Sequence, residues 1–232
     1  MRQTELQKAF VLHTRAYRDT SMLLDIFTLH HGRLSLVARG VRNGKHRWRH
    51  LLMPFRQVEV TWSGNGELQT LTQLESQGVC FNLERKALFC GFYLNELLLY
   101  LLPKQDAYPE IFELYEHTLR MLKNKQQLEP CLRYFERHLL HILGYDTGFE
   151  FDSEAEPIMP EGFYLYRHEH GFVPVKQQID ATQMLYRGKV LLDIAKDNYT
   201  DEITLSQAKQ LFRTKLQFLL GSKSIKSREM FV

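Results

Sequence analysis

Val58-Glu59-Val60-Thr61-Trp62-Ser63-Gly64-Asn65-Gly66-Glu67 decides how the first third of the chain is read. Apolar and polar residues alternate from Val58 to Trp62, the period of a half-buried strand. Ser63 to Gly66 supplies a turn, and Glu67 to Leu74 follows as a further strand. Upstream, Ala9–His13 and Met22–Thr28 are β-rich runs. Leu34–Ala38 alternates after the turn His31-Gly32-Arg33. Five short strands with Gly-rich turns inside residues 1–80 predict a small barrel. The Arg- and Lys-rich stretch Arg39–Arg56 interrupts the strands and is long enough for a loop with a short helix.

From Leu83 the period changes to that of a helix. Leu88, Gly91, Phe92, Asn95, Leu98, Leu99 and Leu102 approximate one face, and Pro103 ends the run. Pro109 stands at a first helical position, ahead of Ile111, Phe112, Leu114, Tyr115, Leu119 and Leu122. A third helix is expected from Pro130 to Gly144. Residues 145–161 hold six acids, no Lys or Arg, and two prolines, which reads as a mobile acidic loop. Phe163–Tyr166 and Phe172–Val175 flank His168-Glu169-His170-Gly171 as a hairpin. Two closing helices are expected, one after Asp180 and one after Thr204, the latter from a capping-box pattern with Gln207. Residues 221–232 form a basic tail. The expected division is a barrel domain at 1–80 and a mainly helical domain at 81–232, which carries the acidic loop and hairpin at 145–175.

The composition is that of a globular protein. The 232 residues are 44% hydrophobic and 25% charged, with 15 Phe and 11 Tyr, enough apolar surface to exclude disorder for most of the chain. No signal-peptide pattern opens the sequence. The longest apolar run, Leu97–Leu102, is far short of the about 20 residues that cross a bilayer. Cys80, Cys90 and Cys131 are odd in number and widely spaced, which argues against disulfides and, without a CxxC, against a cysteine zinc site. A soluble, intracellular protein is expected.

The net charge of +3 conceals its distribution. Residues 1–80 carry eleven Lys and Arg against six Asp and Glu. Between Asp25 and Glu59 stand Arg33, Arg39, Arg42, Lys45, Arg47, Arg49 and Arg56 with no acid, and with Trp48 and Phe55 among them. A second acid-free stretch, Ile203–Arg228, carries Lys209, Arg213, Lys215, Lys223, Lys226 and Arg228. Such tracts match the footprint of phosphate binding, with aromatics able to stack unpaired bases.

Catalytic constellations are missing from the sequence. Gly40-Val41-Arg42-Asn43-Gly44-Lys45-His46 falls one residue short between its glycines for a phosphate loop, and His46 stands where a hydroxyl is needed. His46/His50 and His138/His141 have helical spacing for metal ligation, but no HExxH pattern accompanies either. The acidic run lacks the spacing of a calcium loop. Asp152 and Glu154 would carry a metal-dependent nuclease reading. No nucleophile, base and orienting group are recognisable together, and no enzyme, metal or other cofactor is expected.

Three blocks of sequence resemble the RecO family of bacterial recombination mediators. The first runs from Ala9-Phe10-Val11-Leu12-His13 through Asp19–Thr28 and Gly32-Arg33 to Leu36–Arg42. The second comprises Leu52-Met53-Pro54-Phe55, Gly91–Leu98 and Leu132-Arg133-Tyr134-Phe135-Glu136. The third is Leu220–Phe231. The resemblance implies an α+β protein: an N-terminal OB-fold five-stranded barrel, a helical bundle, and a C-terminal region packed on it. It implies binding of single- and double-stranded DNA, annealing of complementary strands, and help in loading RecA onto strands coated by single-stranded DNA-binding protein (SSB). It implies as partners the acidic SSB tail and RecR, with RecF reached indirectly, and a place in the cytoplasm at the nucleoid rather than at a membrane. Some members hold zinc with four cysteines after the third helix. Residues 145–175 have none here, so Tyr164, Tyr166 and Phe172 are expected to hold that region by packing. The candidate DNA contacts are Arg33, Arg39, Arg42, Lys45, Arg47 and Arg49 on the barrel side, and Lys223, Lys226 and Arg228 in the tail. For that tail, docking of the C-terminus by Ser227-Arg228-Glu229 is an equal alternative. Arg133 with Leu94, Leu98 and Leu101 is the candidate pocket for the SSB tail. An RNA-binding or regulatory barrel protein without annealing activity is the competing reading.

Overall fold

Alternation in the first 80 residues becomes five strands: β1 (Arg2–Tyr17), β2 (Ser21–Thr28), β3 (Gly32–Ala38), β4 (Arg56–Ser63) and β5 (Leu68–Cys80). The structure is a computed structural model and describes residues 2–43, 46–124, 127–146, 148–175 and 183–231. The strands close a barrel in the order β1-β2-β3-β5-β4, with β4 returning to β1. Every pairing is antiparallel except β3 with β5, which run parallel over Ser35–Val37 and Leu68–Thr70. Inward residues from all five strands fill the interior, among them Val11, Leu24, Ile26, Leu36, Val58, Val60, Trp62, Leu71 and Leu74.

The chain forms two compact units, residues 1–128 with 223–232, and residues 129–222. Helices α1 (Arg85–Leu101) and α2 (Pro109–Lys123) therefore group with the barrel. They cover its outer face, where Phe10 and Phe27 lie with Phe112, Tyr115 and Phe81 at ring-centroid separations of 5.1–6.3 Å. A bulge in β1 fixes the join. Val11 opposes Ile26 and His13 opposes Asp25, so Leu12 stands outside the ladder. Bulges of this kind unpair one residue of a strand. The Leu12 carbonyl accepts from Asn95 Nδ2 at 2.8 Å, and the Tyr115 hydroxyl donates to Asn95 Oδ1 at 2.5 Å. Burial holds the Tyr115 phenol well above its usual range, so it remains a donor. Gly91 lets α1 approach: a Cβ there would meet Leu83 and Phe55 side-chain atoms at 2.6–2.8 Å.

The second unit begins essentially with α3 (Leu128–Ile142), which starts two residues before Pro130. A hairpin, β6 (Phe163–Arg167) and β7 (Gly171–Pro174), gains a third strand, β8 (Leu185–Arg187), on the far side of β6. Asp180 lies outside the described residues. The helix expected after it, α4 (Gly188–Ala195), begins only after β8, because Tyr186 is buried and pairs with Tyr164. Helix α5 (Glu202–Leu220) is capped by Asp201, whose carboxylate accepts from Thr204 N at 2.9 Å. Its start thus lies three residues ahead of the one expected, and Thr204 sits buried in the first turn. The stretch Arg39–Arg56 holds turns and no helix among the described residues.

The acidic segment 145–161 is packed rather than a loose loop. Phe149 and Ile158 are buried, and the Asp152 carboxylate turns the chain by accepting from Glu154 N and Glu156 N. Tyr164 and Phe172 are buried and Tyr166 is half-buried. At their centre lies Lys215 of α5, 1% exposed, 3.2 Å from Asp146. Its ammonium faces the rings of Phe149, Tyr166 and Phe172 at 4.9–5.8 Å. Burial lowers the lysine's pKa against the opposing pull of Asp146, and burial raises that of Tyr166 to about 12.

Two stability measurements follow from these joins. Both tryptophans, Trp48 and Trp62, lie in the barrel segment, so their fluorescence reports the first unit. Asn95→Ala strands the Leu12 carbonyl and the Tyr115 hydroxyl, for a loss of about 2–4 kcal/mol in denaturant unfolding. Tyr115→Phe strands one acceptor and costs about 1–2 kcal/mol; equal losses would refute the bulge account. In the second unit, Lys215→Met leaves the buried Asp146 with only the exposed His141, 4.0 Å away, as a cationic neighbour, and costs about 3–5 kcal/mol. Adding Asp146→Leu recovers most of that loss in a melt followed by far-UV circular dichroism, which reports the helices of the second unit as well.

Candidate nucleic-acid interface

The loop between β3 and β4 owes its position to its own apolar residues. Val41, Leu51 and Leu52 are buried in the barrel core, and Trp48 packs against it half-buried. Backbone bonds from Leu51 N and Leu52 N to the Trp48 carbonyl, at 2.9 and 3.1 Å, set the turns between them. With these side chains held inward, Arg39, Arg42, Arg47 and Arg49 are exposed. Among the described residues none of these four takes part in an ion pair. Arg47 lies over the Trp48 ring at 5.7 Å, and the His46 ring meets the same indole edge-on. Lys45 lies outside the described residues.

The β1–β2 turn joins this surface. Arg42 N donates to the Thr20 carbonyl at 2.8 Å, and the Arg42 guanidinium donates to the Arg18 carbonyl at 3.0 Å. Arg18 is exposed, has positive φ (51°), and lies over the Tyr17 ring at 5.3 Å. Arg18 and Tyr17 therefore extend the cationic, aromatic face. The sequence reading missed them because Asp19 follows directly and the β1–β2 turn lies outside the acid-free tract.

Arg33 serves the fold. Its Nε donates to the Leu102 carbonyl at 3.2 Å, its own carbonyl accepts from Gln105 N, and burial lowers its pKa against the pull of Asp25. The basic tail is divided in its roles. A short 3-10 helix, Lys226–Phe231, docks on α1. The Glu96 carboxylate accepts from Lys226 N and Ser227 N, both at 2.9 Å, and from Ser227 Oγ at 2.7 Å. These are the amides of a helix start, which favours an anionic partner. Arg228 lies over Tyr93 and donates to its hydroxyl at 3.3 Å. Lys223 lies over Tyr100 at 5.4 Å, and the side chains of Lys223 and Lys226 are exposed. The docking alternative thus accounts for Ser227 and Arg228.

The candidate pocket for an acidic tail has interior positions. Leu94 and Leu98 are fully buried and Leu101 is half-buried. Arg133, 5% exposed, pairs with the buried Glu136 at 2.6 Å. An i, i+3 ion pair on α3 gives that arginine an internal counter-charge, a relation already contained in the sequence spacing. The paired histidines have protein partners as well: His46 Nδ1 accepts from Trp48 N, and His138 meets Asp197 at 2.9 Å. Among the described residues no group of three or more His, Cys, Asp or Glu is placed to hold a metal ion, and no helix is long and apolar enough to cross a membrane.

A closed five-stranded barrel of OB type, lidded by an arginine-bearing loop and followed by helices and a small sheet, defines a mixed α+β protein of the OB-barrel class. Family models agree over nearly the whole chain: the N-terminal domain of recombination protein O matches residues 1–78, and its C-terminal domain matches residues 83–229. The chain is 41% identical over 227 residues to a DNA repair protein RecO of Methylococcus capsulatus, covering 97% of this chain and 92% of that one. It is 44% identical to the RecO of Cellvibrio japonicus, covering 99% and 97%, and 40% identical to that of Dechloromonas aromatica, covering 99% and 96%. The chain belongs to the RecO family of DNA repair proteins, with the general role in DNA repair and recombination that this family carries.

The docked tail gives a direct check on Glu96. Glu96→Ala removes the acceptor of three hydrogen bonds, so trypsin should cut at Lys226 and Arg228 roughly tenfold faster or more in limited proteolysis. Unchanged cutting would show that Tyr93 and Tyr100 hold the tail without it.

Proposed function

We propose that this protein binds single- and double-stranded DNA on its barrel loop and anneals complementary strands. It then helps load RecA onto strands coated by SSB. The observation that carries this reading is the loop itself. Val41, Trp48, Leu51 and Leu52 point in, and four guanidiniums point out with no carboxylate paired to them among the described residues. Such a surface neutralises phosphates and releases counterions without reading base edges.

Annealing needs two polyanions brought together. A protein that screens their repulsion does this without cleaving a bond, so the reading includes no catalytic residue, metal or nucleotide cofactor. The acidic SSB tail and RecR belong to the reading as partners, with RecF reached indirectly and RecA acting downstream. The place of action is the cytoplasm, at the nucleoid. In this reading the SSB tail docks on a surface other than Arg133, Leu94 and Leu98, which are buried.

The test is strand annealing on SSB-coated DNA, with and without the acidic tail of SSB, beside oligonucleotide binding across a salt series. Binding to single strands should fall steeply with salt, and each of Arg42→Ala and Arg47→Ala should lower the slope of log K against log salt by about 0.7. Affinity independent of salt, or RNA displacing DNA with no annealing, would refute the reading.

A further inference from the structure

The second unit carries an unassigned surface on α5. Thr214, Gln217, Phe218 and Gly221 follow the i, i+3, i+4, i+7 spacing of one helix face. With Arg213 they line an open cavity of about 610 Å³. Phe218 is 62% exposed, the highest value among the exposed large hydrophobic residues described. The polar side chains around it are satisfied locally: Gln217 donates to the Gly221 carbonyl at 2.9 Å and Thr214 donates to the Gln210 carbonyl at 3.1 Å. Two features are left open, an apolar ring and the exposed Arg213. Among the described residues Arg213 has no ion pair, and no carboxylate lines the cavity.

The ring is also held in place. The His168 ring lies against Phe218, and His168 Nδ1 is 3.2 Å from the Tyr166 hydroxyl. Tyr166 in turn packs on the buried ammonium of Lys215. A phenyl group backed on one side by His168 and 62% exposed, on the same helix as an unpaired guanidinium, matches one nucleotide of a single strand: the base stacks on the exposed side of the ring and its phosphate meets the cation. An acidic peptide with an apolar end fits less well, because such an end needs an enclosed slot.

We infer that Phe218 and Arg213 form a second single-strand site, separate from the barrel loop, that holds one nucleotide by stacking and charge. This rests on the annealing reading above and adds to it the place where a second strand is held. The site reads no sequence, since ring stacking and a phosphate contact carry no base information.

The experiment uses the full chain and fluorescent oligothymidylate. In an Arg42→Glu, Arg47→Glu background, which disables the barrel loop, the remaining single-strand affinity should fall about 5- to 150-fold with Phe218→Ala or Phe218→Leu. Phe218→Trp should keep it, because a larger ring still stacks. Arg213→Ala should reduce the salt slope by about 0.7. In the otherwise natural chain, Phe218→Leu should slow annealing. If Phe218→Leu binds and anneals like the natural chain, the inference fails and the ring is only an apolar surface. If these variants change only the binding of an acidic peptide ending in phenylalanine, the surface is a peptide site and the inference fails. Failure of the natural chain to bind any single strand would instead overturn the annealing reading.

Discussion

A single backbone carbonyl organises the first unit. Strand β1 is the seam of the barrel, paired to β2 on one side and β4 on the other. Its bulge takes Leu12 out of the ladder, and a buried carbonyl without a partner costs about 1–3 kcal/mol. Asn95 answers that cost from α1, and Tyr115 of α2 satisfies the other end of the same amide. Barrel, first helix and second helix are thereby placed by one side chain. The next residue, Glu96, holds the C-terminus through three donors. Two consecutive polar residues within the apolar run of α1, about 100° apart around its axis, thus serve two different joins.

The two acid-free tracts meet different fates for a physical reason. In the barrel loop the apolar residues are interleaved with the arginines, so folding the former inward leaves the latter in water. On α5 the cations lie along a helix that is itself part of a core. Lys215 falls on the buried face and takes Asp146 and three rings as its environment, and Lys209 meets Glu129 at 2.7 Å. Linear charge counting cannot see acids that are 69 or 80 residues away in sequence. It therefore overstated the second tract and understated the first, where Arg18 and Tyr17 add to the face.

The parts of the fold governed by period were legible. Five strands and the first three helices lie where alternation and helical spacing place them, because barrel interiors and helix stripes impose those periods directly. What depends on register or on distant partners was not. The bulge at Leu12 and the resulting role of Asn95 follow from how β1 pairs, which no local pattern encodes. Strand β8 is three residues long and exists because Tyr186 finds Tyr164 and the hairpin's outer edge. The loop Arg39–Arg56 reads as helix-capable until its apolar side chains are known to belong to the barrel. The arginines of the candidate interface were visible as a cluster, while Arg33 could be assigned to the fold only once Leu102 stood beside it.

The construction of the loop also bears on what kind of binding it can support. A surface that engages bases needs hydrogen-bonding groups free to meet base edges, or aromatic faces free to stack without regard to sequence. Here Trp48 is half-buried against the core with Arg47 over it and His46 at its edge, so much of its face is already occupied. Arg42 is braced by the Arg18 carbonyl, which fixes its position while leaving its charge. What remains outward is charge at fixed spacing. In the annealing reading that is an advantage, because a strand held by its phosphates keeps its base edges available to a complement. Deep pockets for bases would hold a single strand more tightly and would oppose its transfer into a duplex. The apolar residues that pin the loop therefore do two things at once: they close the barrel, and they leave the loop to hold a strand by its phosphates.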